Sequence, residues 1–366
     1  MSQKGSTKEP SGKSTISNVL NEWTNINPKK PNLDYDKEPL LLLKPRHFDD
    51  VRNNSGIAIV KALYGRGKTY GFGYKLYHEA RRRKDQEVIY INAREVGGRL
   101  RNFSNRYLTL SGNPLDILRM VCAGHYLPGI LNSNDGIYLT TNIALLKEIC
   151  PLDKIKNYLN EDPLTGLRSF LEDIAEASPK KLMLVIDEFE QVTTPGGRPD
   201  VQSVYNLLET LFRALRPGVL DKLPGKLGIT LLIQELYYPT QRMIDFLKTT
   251  ALPSIGRSIA ASNDGSIPVE YDVEEYLNYM ELATNNLAKF GYISNKTASE
   301  FNQAIHDAKV RRLFKEYVQY MPALIAISSM QALLDNVLSS GGKVDSDKIE
   351  EVLKSLVKDK AYAIYG

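Results

Sequence analysis

The chain has 366 residues, a net charge of +4, 42% hydrophobic and 25% charged residues, an ordinary composition for a folded protein with room for two domains. No apolar run approaches the roughly 20 residues needed to span a bilayer, so no membrane insertion is expected. The first residues lack the apolar stretch of a secretory signal, and two cysteines, Cys122 and Cys150, are too few for a disulfide framework or a metal site and read as buried thiols in a reducing cytoplasm.

Residues 1–38 are rich in Ser, Lys, Asn and Pro and read as a flexible tail, with one short helix around Ile16, Leu20 and Trp23. The tail contains Ser11-Gly12-Lys13-Ser14-Thr15, which looks like a phosphate loop. No apolar strand precedes it, so nothing aims it, and it is set aside. The ordered body opens near Pro39. An apolar strand is predicted over 56–60, followed by a glycine-punctuated turn, Tyr64-Gly65-Arg66-Gly67-Lys68-Thr69-Tyr70. A helix follows over 69–82, with Phe72, Tyr74, Leu76 and Tyr77 on its inner face. Gly71 and Gly73 read as points of close helix–sheet packing.

A short strand is predicted over 88–91 and mostly helical structure over 108–177. The next strand, over 182–186, runs into Asp187 and Glu188. After a loop at 193–199 come a helix over 201–215 and a strand over 228–233, which ends in Gln234-Glu235. Strands alternating with helices predict a parallel sheet sandwiched by helices, an α/β fold. Beyond 269 the pattern is helical, over 272–290, 296–315, 319–338 and 346–360. The expected organisation is a tail (1–38), an α/β nucleotide-binding domain (39–268) and a smaller all-helical lid (269–366).

The turn at 64–70 has the chemistry of a phosphate-binding loop. Backbone N–H groups of residues 64–70 would cradle phosphate, Lys68 would neutralise β- and γ-oxygens, and the Thr69 hydroxyl would bind Mg²⁺. The strict pattern needs glycine at position 62, where this chain has Ala62; Gly65 and Gly67 can carry the tight turn instead. Two carboxylates at the end of a buried strand supply the complement. Asp187 would hold the Mg²⁺ shell and Glu188 would act as general base toward the attacking water. Glu190 reads as a surface or supporting group. Gln234, at the end of a strand expected to lie between the other two, would reach the γ-phosphate or the water; it is preferred to Glu235 because it is neutral. Arg257 follows the next helix, where it could reach a neighbouring subunit's γ-phosphate. The run Arg81-Arg82-Arg83-Lys84 reads first as a helix-end cap, and with Arg94, Arg99, Arg101 and Arg106 it leaves nucleic-acid contact open.

These elements in this order resemble the AAA+ ATPases, in particular archaeal origin-recognition/initiator and STAND-like P-loop ATPases. The residues carrying the likeness are Gly65 to Thr69, Val185-Ile-Asp-Glu-Phe-Glu190, Gln234 and Arg257, followed by a helical lid. The resemblance implies ATP and Mg²⁺ as cofactors, a homo-oligomer, and DNA or a protein client as partner. Two features depart from it. Too few residues follow position 340 for the winged helix that initiators carry. The helix opening Tyr320-Met-Pro-Ala-Leu324 lacks the arginine that senses nucleotide there, for which Arg311 or Arg312 could substitute. The expected function is ATP-driven oligomer assembly on DNA; the rival is a STAND-type switch acting through protein assembly alone.

Overall fold

The computed structural model describes residues 43–63, 66–133, 135–194, 197–215, 219–249, 262–289 and 293–317. The tail with its Lys13 loop, Tyr64, Gly65, Arg257 and the helices expected beyond 318 lie outside the described residues. Two compact units are present, one covering residues 44–270 and the other running on from 271.

In the first unit, helix α1 (Phe48–Asn53) leads into β1 (Gly56–Ala62). A π-helical turn (Thr69–Tyr74) continues as α2 (Lys75–Arg83), followed by β2 (Gln86–Asn92) and α3 (Ala93–Arg101). Next come α4 (Asp116–Tyr126), β3 (Tyr138–Thr140), α5 (Ile143–Ile149), α6 (Leu152–Asn160), α7 (Pro163–Ala177) and β4 (Lys181–Asp187). The unit closes with α8 (Val201–Ala214), β5 (Leu227–Gln234), α9 (Thr240–Thr249) and β6 (Ser266–Pro268). The strands make one sheet of order β3-β2-β4-β5-β1-β6, parallel except for β3. Helices flank it, and the fold is mixed α/β.

The central strands β1, β4 and β5 are near-continuous apolar runs buried almost end to end, as a strand covered on both faces requires. β5 lies between β1 and β4, the placement expected for the strand ending at Gln234. Two strands escape the sequence pattern. β3 and β6 have only three residues each, too short for an alternation to register. The first interrupts the stretch expected to be helical, and the second closes the α/β domain expected over 39–268.

The helix after the glycine turn also differs from expectation. Its first turn is π-helical from Thr69 to Tyr74, a wider winding that recurs at functional sites. Phe72, Tyr74, Leu76 and Tyr77 are all buried. Gly73 is the point of closest approach to the sheet: a Cβ there would lie 2.6 Å from the Tyr90 ring.

The two cysteines are not free thiols. Cys122 on α4 and Cys150 at the end of α5 form a disulfide, their Cα atoms 5.4 Å apart. Packing of α5 on α4 brings together two fully buried residues 28 positions apart, a proximity that spacing alone does not reveal.

The second unit contains α10 (Val273–Lys289), α11 (Asn295–Ile305) and α12 (Ala308–Tyr317). The helix expected over 296–315 is thus two helices. Tyr276, Leu277 and Met280 of α10, Phe301 and Ile305 of α11 and Val310 of α12 are buried. Arg311 pairs with Glu274, whereas Arg312 is exposed. No helix among the described residues is long and apolar enough to cross a membrane.

Gly73→Ala tests the close approach. The added methyl meets a fully buried ring, so a loss of about 1–3 kcal/mol in folding free energy is expected, measured by chemical denaturation. Unchanged stability would mean that the helix has room to shift.

Candidate functional site

Parallel register sets the site. Ala62 of β1 pairs with Gln234 of β5, and Asn92 of β2 pairs with Asp187 of β4. The carboxyl ends of these four strands therefore share one edge, where an open α/β sheet binds its ligands.

The turn after β1 reaches this edge. Ala62 is still part of β1 and does not turn, which is why a glycine is not needed there. Gly67 takes the left-handed φ of +92° that a side chain would resist. Its carbonyl accepts the Gly71 N–H at 2.7 Å and starts the helix. Lys68 folds its amine back onto the loop, donating to the carbonyls of Ala62 at 2.8 Å and Leu63 at 3.2 Å. Burial holds the Lys68 pKa below its usual value, while Asp187, Glu190 and Glu188 oppose that shift. Tyr70 points inward, its ring 5.1 Å from that of Tyr74 in an edge-on contact. Its side chain belongs to the core, leaving only its backbone for phosphate.

The Thr69 hydroxyl donates to Asp187 Oδ2 at 2.6 Å, across 118 positions of sequence. Asp187 is 1% exposed. Burial raises its pKa; Thr69, Lys68, Tyr90 and the Glu188 N–H pull the other way. The Glu188 N–H donates to Asp187 Oδ1 at 2.9 Å and the Tyr90 hydroxyl to Oδ2 at 2.9 Å.

Glu188 leaves the strand with φ 50° and ψ 46°. A residue other than glycine in this left-handed region is costly by about 1–2 kcal/mol, and such residues gather at functional sites. Burial and the charge of Asp187 push the Glu188 carboxyl up to about 7, with Arg94 and Asn92 opposing. Arg94 Nη1 lies 3.9 Å from Glu188 Oε2. Asn92 caps α3 by accepting the Glu95 N–H on its Oδ1 at 3.0 Å, so its amide nitrogen is the group that donates to Glu188.

Glu190 is not a surface group. It is 3% exposed, and its Oε2 accepts the backbone N–H of Gln234 at 3.3 Å. Burial raises its pKa, opposed by that N–H and by Lys68. Gln234 ends β5 at the same edge, ahead of a short 3₁₀ turn rather than as the first residue of α9.

Asn92, Tyr90 and Arg94 escaped the sequence reading as site residues. Asn92 and Tyr90 carry no motif, and their roles depend on cross-strand register. Arg94 was visible only as one member of a basic stretch. The run 81–84, by contrast, sits at the other end of the sheet, ahead of β2. Arg82 and Arg83 bond Glu79, and Lys84 ends α2 in a left-handed cap.

The donor set fits a magnesium–nucleotide pair. The carboxylates Asp187, Glu188 and Glu190 all act on buried Lys68, and Arg94 adds a second cation beside Glu188. The hydroxyl–carboxylate pair of Thr69 and Asp187 is oxygen-rich, as Mg²⁺ requires. Among the described residues, no three His, Cys, Asp or Glu side chains converge as a metal cage. Mg²⁺ commonly takes only one or two carboxylates and fills its shell with phosphate and water.

No protein-family model matches the sequence, and no curated protein aligns with it significantly. Among solved structures, the chain is similar to the ORC2 protein of Aeropyrum pernix, determined as ADPNP–ADP complexes. Identity is 11%, with 96% of this chain and 69% of that chain covered, and the TM-score is 0.36. A likeness this distant carries no weight for function.

The raised Glu188 pKa makes a stability prediction for the protein without divalent cations. Between the ordinary 4.5 and about 7, the native state holds a proton that the unfolded state has released. Folding stability from this group therefore falls as pH rises through that window. Glu188→Gln removes the effect, so its melting temperature should exceed the wild type by more at pH 8 than at pH 5. An equal difference at both pH values would show that Glu188 titrates normally.

Proposed function

We propose that the chain is an ATPase of the AAA+ type that couples Mg²⁺·ATP binding and hydrolysis to assembly of a homo-oligomer on DNA. The observation that carries the reading is the 2.6 Å bond from Thr69 to Asp187. It joins the end of the glycine turn to the end of a buried strand, the two groups needed to hold one Mg²⁺ beside a phosphate chain. Bound Mg²⁺ would neutralise charge on the phosphates and orient them for in-line attack.

The roles divide by position. Thr69 and Asp187 would hold the ion, and Lys68 would leave the Ala62 and Leu63 carbonyls for phosphate oxygens. Glu188 would take the proton of the attacking water; a pKa near 7 is suited to that task. Asn92 and Arg94 would hold its carboxylate, and Gln234 would offer a neutral hydrogen-bonding group near the γ-phosphate. Arg257 is proposed as the residue that completes a neighbouring subunit's site.

DNA is favoured by the surface that follows β2. No acidic residue occurs between Glu95 and Asp116, while Arg99, Arg101 and Arg106 in that stretch are exposed. Such a surface suits a phosphate backbone rather than a chosen base sequence.

Lys68→Ala should abolish ATP binding and Lys13→Ala should not, as read by fluorescent-nucleotide titration. The reverse pattern would move the site to the tail. Glu188→Gln should bind ATP normally and turn it over at least about 100-fold more slowly; near-wild-type turnover would remove Glu188 from the mechanism. Arg257→Ala should bind ATP but hydrolyse it poorly, and mixing it with Lys68→Ala should restore part of the activity; full activity of Arg257→Ala alone would exclude a shared site.

The DNA arm is read separately. DNA should stimulate the ATPase with a steep salt dependence, and Arg99→Glu with Arg101→Glu should remove the stimulation while sparing basal turnover. Turnover indifferent to DNA would favour a switch acting through protein partners.

A further inference from the structure

One strong hydrogen bond at the site comes from a residue with no part in the chemistry above. Tyr90 is a β2 residue of 0% exposure whose hydroxyl donates to Asp187 Oδ2 at 2.9 Å. That is the same oxygen that accepts from Thr69. Asn92 faces Asp187 directly and Tyr90 faces Val185, so Tyr90 reaches Asp187 along the strand diagonal. A long side chain is needed to span that distance.

A tyrosine stack supports it. The Tyr74 ring lies 5.1 Å from the Tyr90 ring, and the two hydroxyls are hydrogen-bonded. Because Tyr90 gives its proton to Asp187, its oxygen accepts from Tyr74. The chain of donors runs Tyr74 to Tyr90 to Asp187. Gly73 provides the room, since a Cβ at that position would strike the Tyr90 ring. Phenylalanine would fill the same volume, so packing alone does not call for the hydroxyl. A buried hydroxyl is costly unless bonded, and the bond it makes is to the one carboxylate assigned to the metal.

We propose that Tyr90 is a positioning residue for the divalent-cation site: its hydroxyl, held by Tyr74, aims the Asp187 carboxylate at Thr69 so that the two can share one Mg²⁺. The inference rests on the ATPase reading. It deepens that reading by assigning ion affinity to a residue that touches neither nucleotide nor metal.

The test uses the full chain, a fluorescent ATP analogue, and Mg²⁺ titrated at fixed nucleotide, with parallel titrations in EDTA. Tyr90→Phe keeps the ring and loses the hydroxyl. The Mg²⁺ concentration for half-maximal binding should rise about tenfold, the worth of one hydrogen bond to a charged group. Nucleotide affinity in EDTA should stay as in the wild type, since no metal is involved. Tyr74→Phe should move the Mg²⁺ midpoint in the same direction by less. If Tyr90→Phe does not fold, Tyr74→Phe carries the test by the same criterion.

An unchanged Mg²⁺ midpoint in a folded Tyr90→Phe protein would overturn the proposal and leave the ATPase reading standing. Equal losses with Mg²⁺ and in EDTA would also overturn it, because they would assign Tyr90 to packing. A wild-type protein that binds no nucleotide at any Mg²⁺ concentration would overturn both.

Discussion

A carboxylate shut away from water must be surrounded by donors or cations, or it loses its charge. Asp187 imposes that constraint on the edge of the sheet where the carboxyl ends of β1, β2, β4 and β5 meet. Its two oxygens take hydroxyls from the first turn after β1 and from β2, and an N–H from the turn after β4. Three segments far apart in sequence are thereby tied to one point. Lys68 comes close for the same reason, since it faces Asp187, Glu190 and Glu188 from a buried position.

The second constraint is angular. Asp187 and Glu188 are neighbours in the chain, and in a continuing strand they would point to opposite faces. The left-handed backbone at Glu188 breaks the strand at that point. Glu188 then comes within reach of Asn92 and Arg94, both carried by the β2–α3 junction. Asn92 serves two ends at once, capping α3 through Glu95 and holding Glu188. A displacement of α3 would thus reach Glu188 through Asn92 and Arg94 together.

The parts of this arrangement that were legible in the sequence are those written locally. The glycine turn after an apolar strand, and the apolar run ending in two carboxylates, each occupy a few consecutive residues. Their meeting at one sheet edge follows from parallel topology, and the position of β5 between β1 and β4 follows with it. Cross-strand relations were not legible. Tyr90 looks like any aromatic residue of a buried strand until register places it diagonal to Asp187. Glu190 reads as either a surface or a supporting carboxylate until the 3₁₀ turn from Phe189 to Val192 brings it to the backbone N–H of Gln234. The cysteines looked like isolated thiols because α4 and α5 pack only in three dimensions. β3 and β6 were missed because three residues carry no period.

The two short strands have a consequence of their own. They form the outer edges of the sheet, β3 on one side and β6 on the other. An exposed strand edge is a template on which another chain can extend the sheet, and its capacity scales with its length. Edges three residues long offer too few backbone groups to recruit a foreign strand. β3 also runs against the direction of its neighbours, which ends the parallel register on that side. Any contact that such a sheet makes with another chain would therefore fall to side chains, whose charges salt can screen, rather than to backbone pairing.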